Sequence, residues 1–286
     1  MLPFKIDMTK KNVVITGGGG VLCSEFAYAL AECGANIALL DIKLENAQAV
    51  ADKIEAAGGK AIAVQTDVLS KESLAKARDT IVDKFGLCDI LINGAGGNSP
   101  KCTTTKEYLF SEDLENLGEL KEGVTFFDLL PENLRFVFDL NFTSAVLTTQ
   151  VFAKDMASKK DCAIINVSSM NAFTPLTKIP AYSAGKAAVS NFTQWLAVHF
   201  SKVGIRVNAI APGFFVSEQN RSLLFDKEGN PTARAHKILA ATPMGRFGEA
   251  KELLGALLWL CCSEASGFVN GVVVPVDGGF SAYSGV

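Results

Sequence analysis

Three residues between positions 163 and 186 have the types and spacing of a proton-transfer site. AIINVSS ends on Ser169, and AYSAGK sets Tyr182 and Lys186 one helical turn apart. A phenol ordinarily ionises at about pH 10. A neighbouring ammonium favours the phenolate and is predicted to lower that value, so that Tyr182 can trade a proton with a reacting oxygen. Ser169, at the end of an adjacent strand, can hydrogen-bond a carbonyl oxygen and hold it in place. Together these groups suit a hydride transfer, in which a ketone reduced to an alkoxide must gain a proton. Ser168 is the alternative serine, because strand alternation turns the two in opposite directions. The competing reading of Tyr182 and Lys186 is a chemically silent helix surface.

The elements that must position these residues are legible as an alternation. Short apolar runs at 12–17, 36–41, 60–68, 88–94, 163–169, 206–212 and 272–279 read as strands. Helical patterns fill the gaps, including 132–158, 181–203 and 249–263. This order predicts an α/β fold: one Rossmann-type, doubly wound parallel sheet with helices on both faces, in a single domain over 1–286. The strands are continuously hydrophobic, as expected when both faces are covered. Ligands of such sheets lie beyond the strand C-termini. Gly17, Asp41, Asp67, Asn93, Ser169 and Pro212 all fall there. Residues 97–131 break the rhythm with Gly, Ser, Thr and mixed charge, and are read as an insertion near the substrate site.

After the first strand comes TGGGGVLCSEFA. Glycines there let backbone approach a pyrophosphate, and the following helix offers its N-terminal amides. Gly17, Gly18, Gly19, Gly20, Val21 and Leu22 are therefore candidate contacts, with a flexible turn as the bland alternative. Asp41 ends the second strand, where a carboxylate can bond both ribose hydroxyls and repel a 2′-phosphate, favouring NAD(H) with NADP(H) as the alternative. Lys43 lies close enough to blur that preference. Asp67 and Val68 follow the third strand, where Asp67 could bond an adenine amino group. NGAG carries Asn93, Ala95 and Gly96 past the cofactor.

Composition excludes other classes. The chain has 286 residues, 49% hydrophobic and 20% charged, with net charge −3. That balance gives no global attraction to nucleic acid or anionic membranes. No apolar run approaches the roughly 20 residues a bilayer span needs. The seven cysteines and two histidines form neither a disulfide framework nor a metal-ligand spacing. Reduced thiols in a cytoplasm, most of them small buried apolar groups, are the expectation, with no metal.

Taken in order, TG with glycines at 16–20, NGAG at 93–96, Asn141, Ser169, Tyr182-x-x-x-Lys186 and PG at 212–213 resemble the short-chain dehydrogenase/reductase family over nearly the whole chain. Two departures stand out. The family's TGxxxGxG falls without gaps on Thr16, Gly17, Val21 and Cys23, so two of its three glycines are missing. NGAG also replaces the commoner NNAG.

The resemblance implies a catalytic set of Asn141, Ser169, Tyr182 and Lys186. In it Asn141 kinks its helix and holds a water for proton relay, and Lys186 also holds the nicotinamide ribose. It implies cofactor contacts from Pro212, Gly213, Phe215 and Ser217, the last bonding the carboxamide where the family usually has threonine. The glycine loop, the insertion, APGFF…EQNR and DGGFSAYSGV resemble the subgroup of D-mannonate oxidoreductases, or fructuronate reductases. A sugar-acid substrate is implied by this resemblance alone. Such a substrate needs hydrogen-bond groups and a cation for its carboxylate; Lys101, Asn171, Gln219, Asn220 and Arg221 are the candidates, with Arg221 first for the carboxylate and a solvated loop arginine as its alternative. Family members are commonly tetramers, so a homotetramer or homodimer is expected, with ELLGALLWLCC and GVVVPV apolar enough to serve or to be buried core. Another sugar, sugar-alcohol or 2-keto-3-deoxy acid dehydrogenase, or a catalytically silent dinucleotide sensor, is the alternative reading.

Overall fold

The computed structural model describes residues 4–114, 123–216 and 221–285. Its strands are β1 Asn12–Thr16, β2 Asn36–Asp41, β3 Lys60–Gln65, β4 Ile90–Asn93, β5 Cys162–Val167, β6 Ile205–Pro212 and β7 Val273–Val276. They form one seven-stranded sheet in the order β3-β2-β1-β4-β5-β6-β7. Every pairing is parallel. All C-terminal ends therefore share one edge, and the order turns back on itself between β1 and β4, where an open parallel sheet leaves room for a ligand. Register keeps that edge level: Thr16 stands beside Leu40 and Asn93, and Asn93 beside Asn166.

The helices are α1 Val21–Glu32, α2 Leu44–Ala56, α3 Lys71–Phe85, α4 Ser111–Leu114, α5 Pro131–Phe138, α6 Ser144–Met156, α7 Pro180–His199, α8 Arg221–Leu224, α9 Ala233–Ala240, α10 Leu254–Cys261 and α11 Ser263–Ser266. Strand alternation divides the apolar side chains between two cores. Val13, Ile15, Ile37 and Leu39 pack with Phe26, Leu30, Ile54, Leu257 and Leu260 on one face. Val14, Ala38, Leu40 and Leu91 pack with Leu74, Ile81, Phe152, Met156 and Leu196 on the other. Burying side chains of this size favours folding by roughly 1.5–3 kcal/mol each before entropy is counted. Leu257 and Leu260 of ELLGALLWLCC are fully buried core. β7 is an edge strand whose valines are half-buried.

The boundaries differ from the sequence pattern where local hydrogen bonding ends an element early. β3 stops at Gln65 instead of Val68, because Asp67 Oδ1 turns back to accept the Leu69 N–H at 2.9 Å. The helix expected over 132–158 is interrupted by a π turn at Asp139–Thr143. The whole stretch Pro131–Met156 is long and apolar enough to cross a membrane, but α6 buries Phe152 and Met156 in the sheet core. Within the insertion, turns at Pro100–Cys102 and Phe126–Asp128 flank α4. Among the described residues no cluster of His, Cys, Asp and Glu could hold a metal.

Candidate active site

A cleft of about 780 Å³ opens along the C-terminal edge of the sheet. At one end it meets the turn after β1. Gly17 leaves the strand at φ +65°, with its Cβ position 3.0 Å from Ala95 Cα, a conformation and an approach that favour glycine. Gly20, Val21 and Leu22 line the cleft, and Gly20 caps α1 with no side-chain cap bond and no acidic residue in the first turn. The first amides of this helix are thus available to an anion.

Gly18 and Gly19 sit elsewhere than expected. Neither lines the cleft. A Cβ on Gly18 would lie 2.8 Å from Leu39 Cδ2, and one on Gly19 would lie 2.5 Å from Asn46 Cβ. These two glycines let the loop pack down on β2 and α2. The Gly19 N–H donates to Asp41 Oδ2 at 3.0 Å, and the Lys43 N–H donates to Asp41 Oδ1 at 3.0 Å. Two backbone amides therefore aim the Asp41 carboxylate, which lines the cleft with Asp67 and Val68.

Asn93 is also behind the wall rather than on it. Its Nδ2 donates to Thr149 Oγ1 at 3.1 Å and Asn166 Oδ1 at 2.8 Å, and Asn166 Nδ2 donates to Thr193 Oγ1 at 2.8 Å. This buried chain ties β4 and β5 to α6 and α7. Its effect on the cleft is indirect, through the path of Gly94 to Gly96. Ala95 and Gly96 do line the cavity, and Thr16 Oγ1 accepts the Gly94 and Ala95 N–H groups at 3.1 Å each.

At the other end of the cleft stand Ser169, Tyr182 and Lys186. The Ser169 hydroxyl lies close enough to the Tyr182 phenol to favour its ionised form, and Ser169 Oγ accepts the Asn171 N–H at 3.2 Å. Ser168 also lines the cleft, but its Oγ is engaged by Ser190 Oγ at 2.7 Å and donates to the Lys186 carbonyl at 3.2 Å. Lys186 is 4% exposed, and its Nζ donates to the Val167 carbonyl at 2.8 Å and lies 5.7 Å from the centre of the Tyr182 ring. Burial pushes the lysine down to about 8.

The phenol moves opposite to the sequence expectation. Burial raises the Tyr182 value, and the Ser169 hydroxyl only partly offsets this. The physical reason is desolvation: charge is disfavoured on both groups, and the ammonium sits over the ring while spending a proton on Val167. Tyr182 in this state is a held proton donor.

Asn141 lies in the π turn, 1% exposed. Its Nδ2 donates to the Gly97 and Val137 carbonyls at 2.7 and 2.8 Å, and its Oδ1 accepts the Gly97 N–H at 3.1 Å. The side chain clamps the start of the insertion rather than lining the cleft. A Cβ on Gly96 would meet both Asn141 Oδ1 and Lys186 Nζ, at 2.7 and 3.1 Å.

Pro212, Gly213 and Phe215 line the cleft from the end of β6. Lys101 and Arg221 are exposed and outside the lining, and the Arg221 guanidinium stacks 5.4 Å from the Phe225 ring centre. Asn171 is 3% exposed, and its Oδ1 has no hydrogen-bond partner among the described residues. Ser217, Gln219 and Asn220 lie outside the described residues. Lining residues that the sequence reading missed include Ile42, Leu69, Phe136, Leu140 and Phe214. Phe136 and Leu140 stand four residues apart on one stretch of helix, a spacing that could have marked them as a shared face.

A parallel doubly wound sheet with Ser169, Tyr182 and Lys186 gathered at its ligand edge defines a dehydrogenase-type architecture. Residues 11–228 match the short chain dehydrogenase family model, and the chain belongs to that family, oxidoreductases acting on CH–OH groups. A Haemophilus influenzae protein named an uncharacterized oxidoreductase is 62% identical over 281 residues, covering 98% of this chain and 96% of that protein. An uncharacterized oxidoreductase of Bacillus subtilis is 52% identical over 286 residues, all of both chains. A Haemophilus influenzae crystal structure, provisionally named a D-mannonate oxidoreductase and holding bound NAD, matches with a TM-score of 0.92 at 62% identity over 98% of each chain.

Proposed function

We propose that the protein is an NAD(H)-dependent reductase that interconverts D-fructuronate and D-mannonate in the cytoplasm. The observation that carries this reading is the Tyr182 phenol, gathered with Ser169 and Lys186 in a cleft of about 780 Å³ that also takes in Gly17, Asp41 and Asp67. The name and bound NAD of the Haemophilus influenzae structure support the substrate and the cofactor.

The residues present fit a dinucleotide. The uncapped amides of α1 would hold its pyrophosphate, Asp41 the adenosine ribose, and Ile42 and Asp67 the adenine. When bound, it supplies the hydride or takes it up. Ser169 orients the carbonyl oxygen of the substrate. Tyr182 gives its phenolic proton to that oxygen during reduction and reclaims it during oxidation. Lys186 carries positive charge beside the phenol and favours its ionised form as the proton leaves. Asn141 holds Gly97 in place behind Lys186. Arg221 and Lys101 are the cations proposed for the substrate carboxylate, with Asn171 offering an unpaired acceptor two positions beyond Ser169. Assembly as a homotetramer or homodimer would use the β7 edge and α10.

The test is a steady-state screen of D-fructuronate beside other keto acids and sugar ketones, with NADH and NADPH. D-fructuronate with NADH is expected to give the highest kcat/KM. A higher value for a different ketone would replace the substrate, and turnover of none despite NADH binding would favour a silent sensor.

A further inference from the structure

Two excursions leave the sheet on either side of Ser169. One starts at Gly97 after β4, and the other starts at Phe214 after β6; both residues line the cleft. β5, which leads to Ser169, lies between those strands. The excursions meet again where Lys237 Nζ of α9 donates to Glu107 Oε1 at 2.8 Å. The ion pair therefore links the segment that follows β4 to the segment that follows β6, the two strands that flank β5. We propose that Glu107 and Lys237 form a clasp that joins the insertion to the α8–α9 unit over the catalytic end, positioning both around the substrate.

Each side of the clasp is braced separately from the main cores. On the insertion side, Lys106 is ion-paired with Asp113, whose Oδ2 accepts the Phe110 N–H at 2.9 Å. The Thr105 N–H donates to the Val124 carbonyl at 2.8 Å, and the Thr104 N–H to the Lys178 carbonyl at 2.9 Å, just before Pro180 opens α7. Glu107 thus stands on a base tied to the helix that carries Tyr182. On the other side, Ala235 and Ile238 of α9 pack with Leu224, Phe214, Val216, Phe225 and Phe247 in a cluster of their own. Small units of this kind open at lower cost than core elements. The pair is suited to link them reversibly, because Lys237 is 68% exposed and Glu107 27% exposed, and pairs open to water are weak and screened by salt. Lys178 is also close enough to Glu107 to act on its charge.

The kinetic part of this inference rests on the proposed reductase reading; the structural part does not. Hydrogen–deuterium exchange of the full chain tests the structural part without a substrate. Glu107→Gln and Lys237→Met are each expected to speed exchange in both 104–113 and 233–240, and Lys237→Arg, which keeps the charge, to leave exchange at the wild-type rate. A change confined to the element that carries the substitution, or equal effects of Lys237→Met and Lys237→Arg, would overturn the clasp. For the ketone that the wild-type enzyme reduces best, Glu107→Gln and Lys237→Met are each expected to raise KM roughly two- to fivefold, the range an exposed pair supports, with kcat and the NADH Kd unchanged. Unchanged KM would remove the positioning role. If the wild-type enzyme reduces no ketone, the functional reading has failed and the exchange data alone decide the clasp.

Discussion

At the nucleotide end of the cleft the wall consists of strand ends and the first turn of α1. Asp41 is aimed by the Gly19 and Lys43 amides, and the Ala95 path is held by Thr16. Each of these contacts is made or received by backbone that the sheet already fixes. The catalytic end has a rigid half and a built-on half. Ser169 follows the end of β5 and Lys186 stands on α7, but the surroundings come from the excursions after β4 and β6, which have their own small clusters and exposed aromatics such as Tyr108, Phe110 and Phe126. On the proposed reading the contrast assigns dinucleotide binding to the sheet edge and substrate choice to the excursions after β4 and β6.

Substitutions at the two ends should have opposite signatures. Tyr182→Phe removes the proton donor while keeping the ring packed against Cys102 and Val137. It should lower kcat by about 10²–10⁴-fold, the usual worth of a positioned acid or base, with NADH affinity unchanged. Asp41→Ala should do the reverse. Losing charge-assisted bonds to a ribose costs about 1.5–3 kcal/mol, so the preference for NADH over NADPH should fall roughly ten- to hundredfold while kcat at saturating cofactor is retained. An unchanged cofactor ratio would transfer the discrimination to Lys43 or the glycine loop. The smallest effect is in pH. Burial holds Lys186 at about 8 in the free enzyme, so it is charged below that value and neutral above it. Because kcat/KM reports free-enzyme ionisations, its value for ketone reduction should fall as pH rises through about 8. A flat profile between about pH 7 and 9 would show that the charge on Lys186 does not govern reduction.

The same division explains what the sequence made legible. Strands, helices and the Ser169–Tyr182–Lys186 spacing are local patterns, and periodicity finds them. The four glycines were readable as a loop, but not their separate duties. Gly17 serves the close approach to Ala95, whereas Gly18 and Gly19 serve packing on Leu39 and Asn46, partners distant along the chain. Asn93 belongs to a buried bridge to Thr149 and Asn166 that no local pattern announces. The direction of the Tyr182 shift was missed because spacing gives proximity to Lys186, while desolvation depends on the whole surrounding fold. The Glu107–Lys237 pair joins residues on segments with no shared period, and only coordinates bring it into view.

The central claim is that the proton-transfer groups and the carboxylate proposed for the adenosine ribose stand at opposite ends of one cleft. The most direct measurement takes NADH Kd and single-turnover NADH oxidation on the same preparations of Tyr182→Phe and Asp41→Ala. The account predicts that Tyr182→Phe binds NADH like the wild-type enzyme but does not oxidise it with substrate present, and that Asp41→Ala binds NADH weakly yet turns over once saturated. Turnover by Tyr182→Phe at the wild-type rate would contradict it.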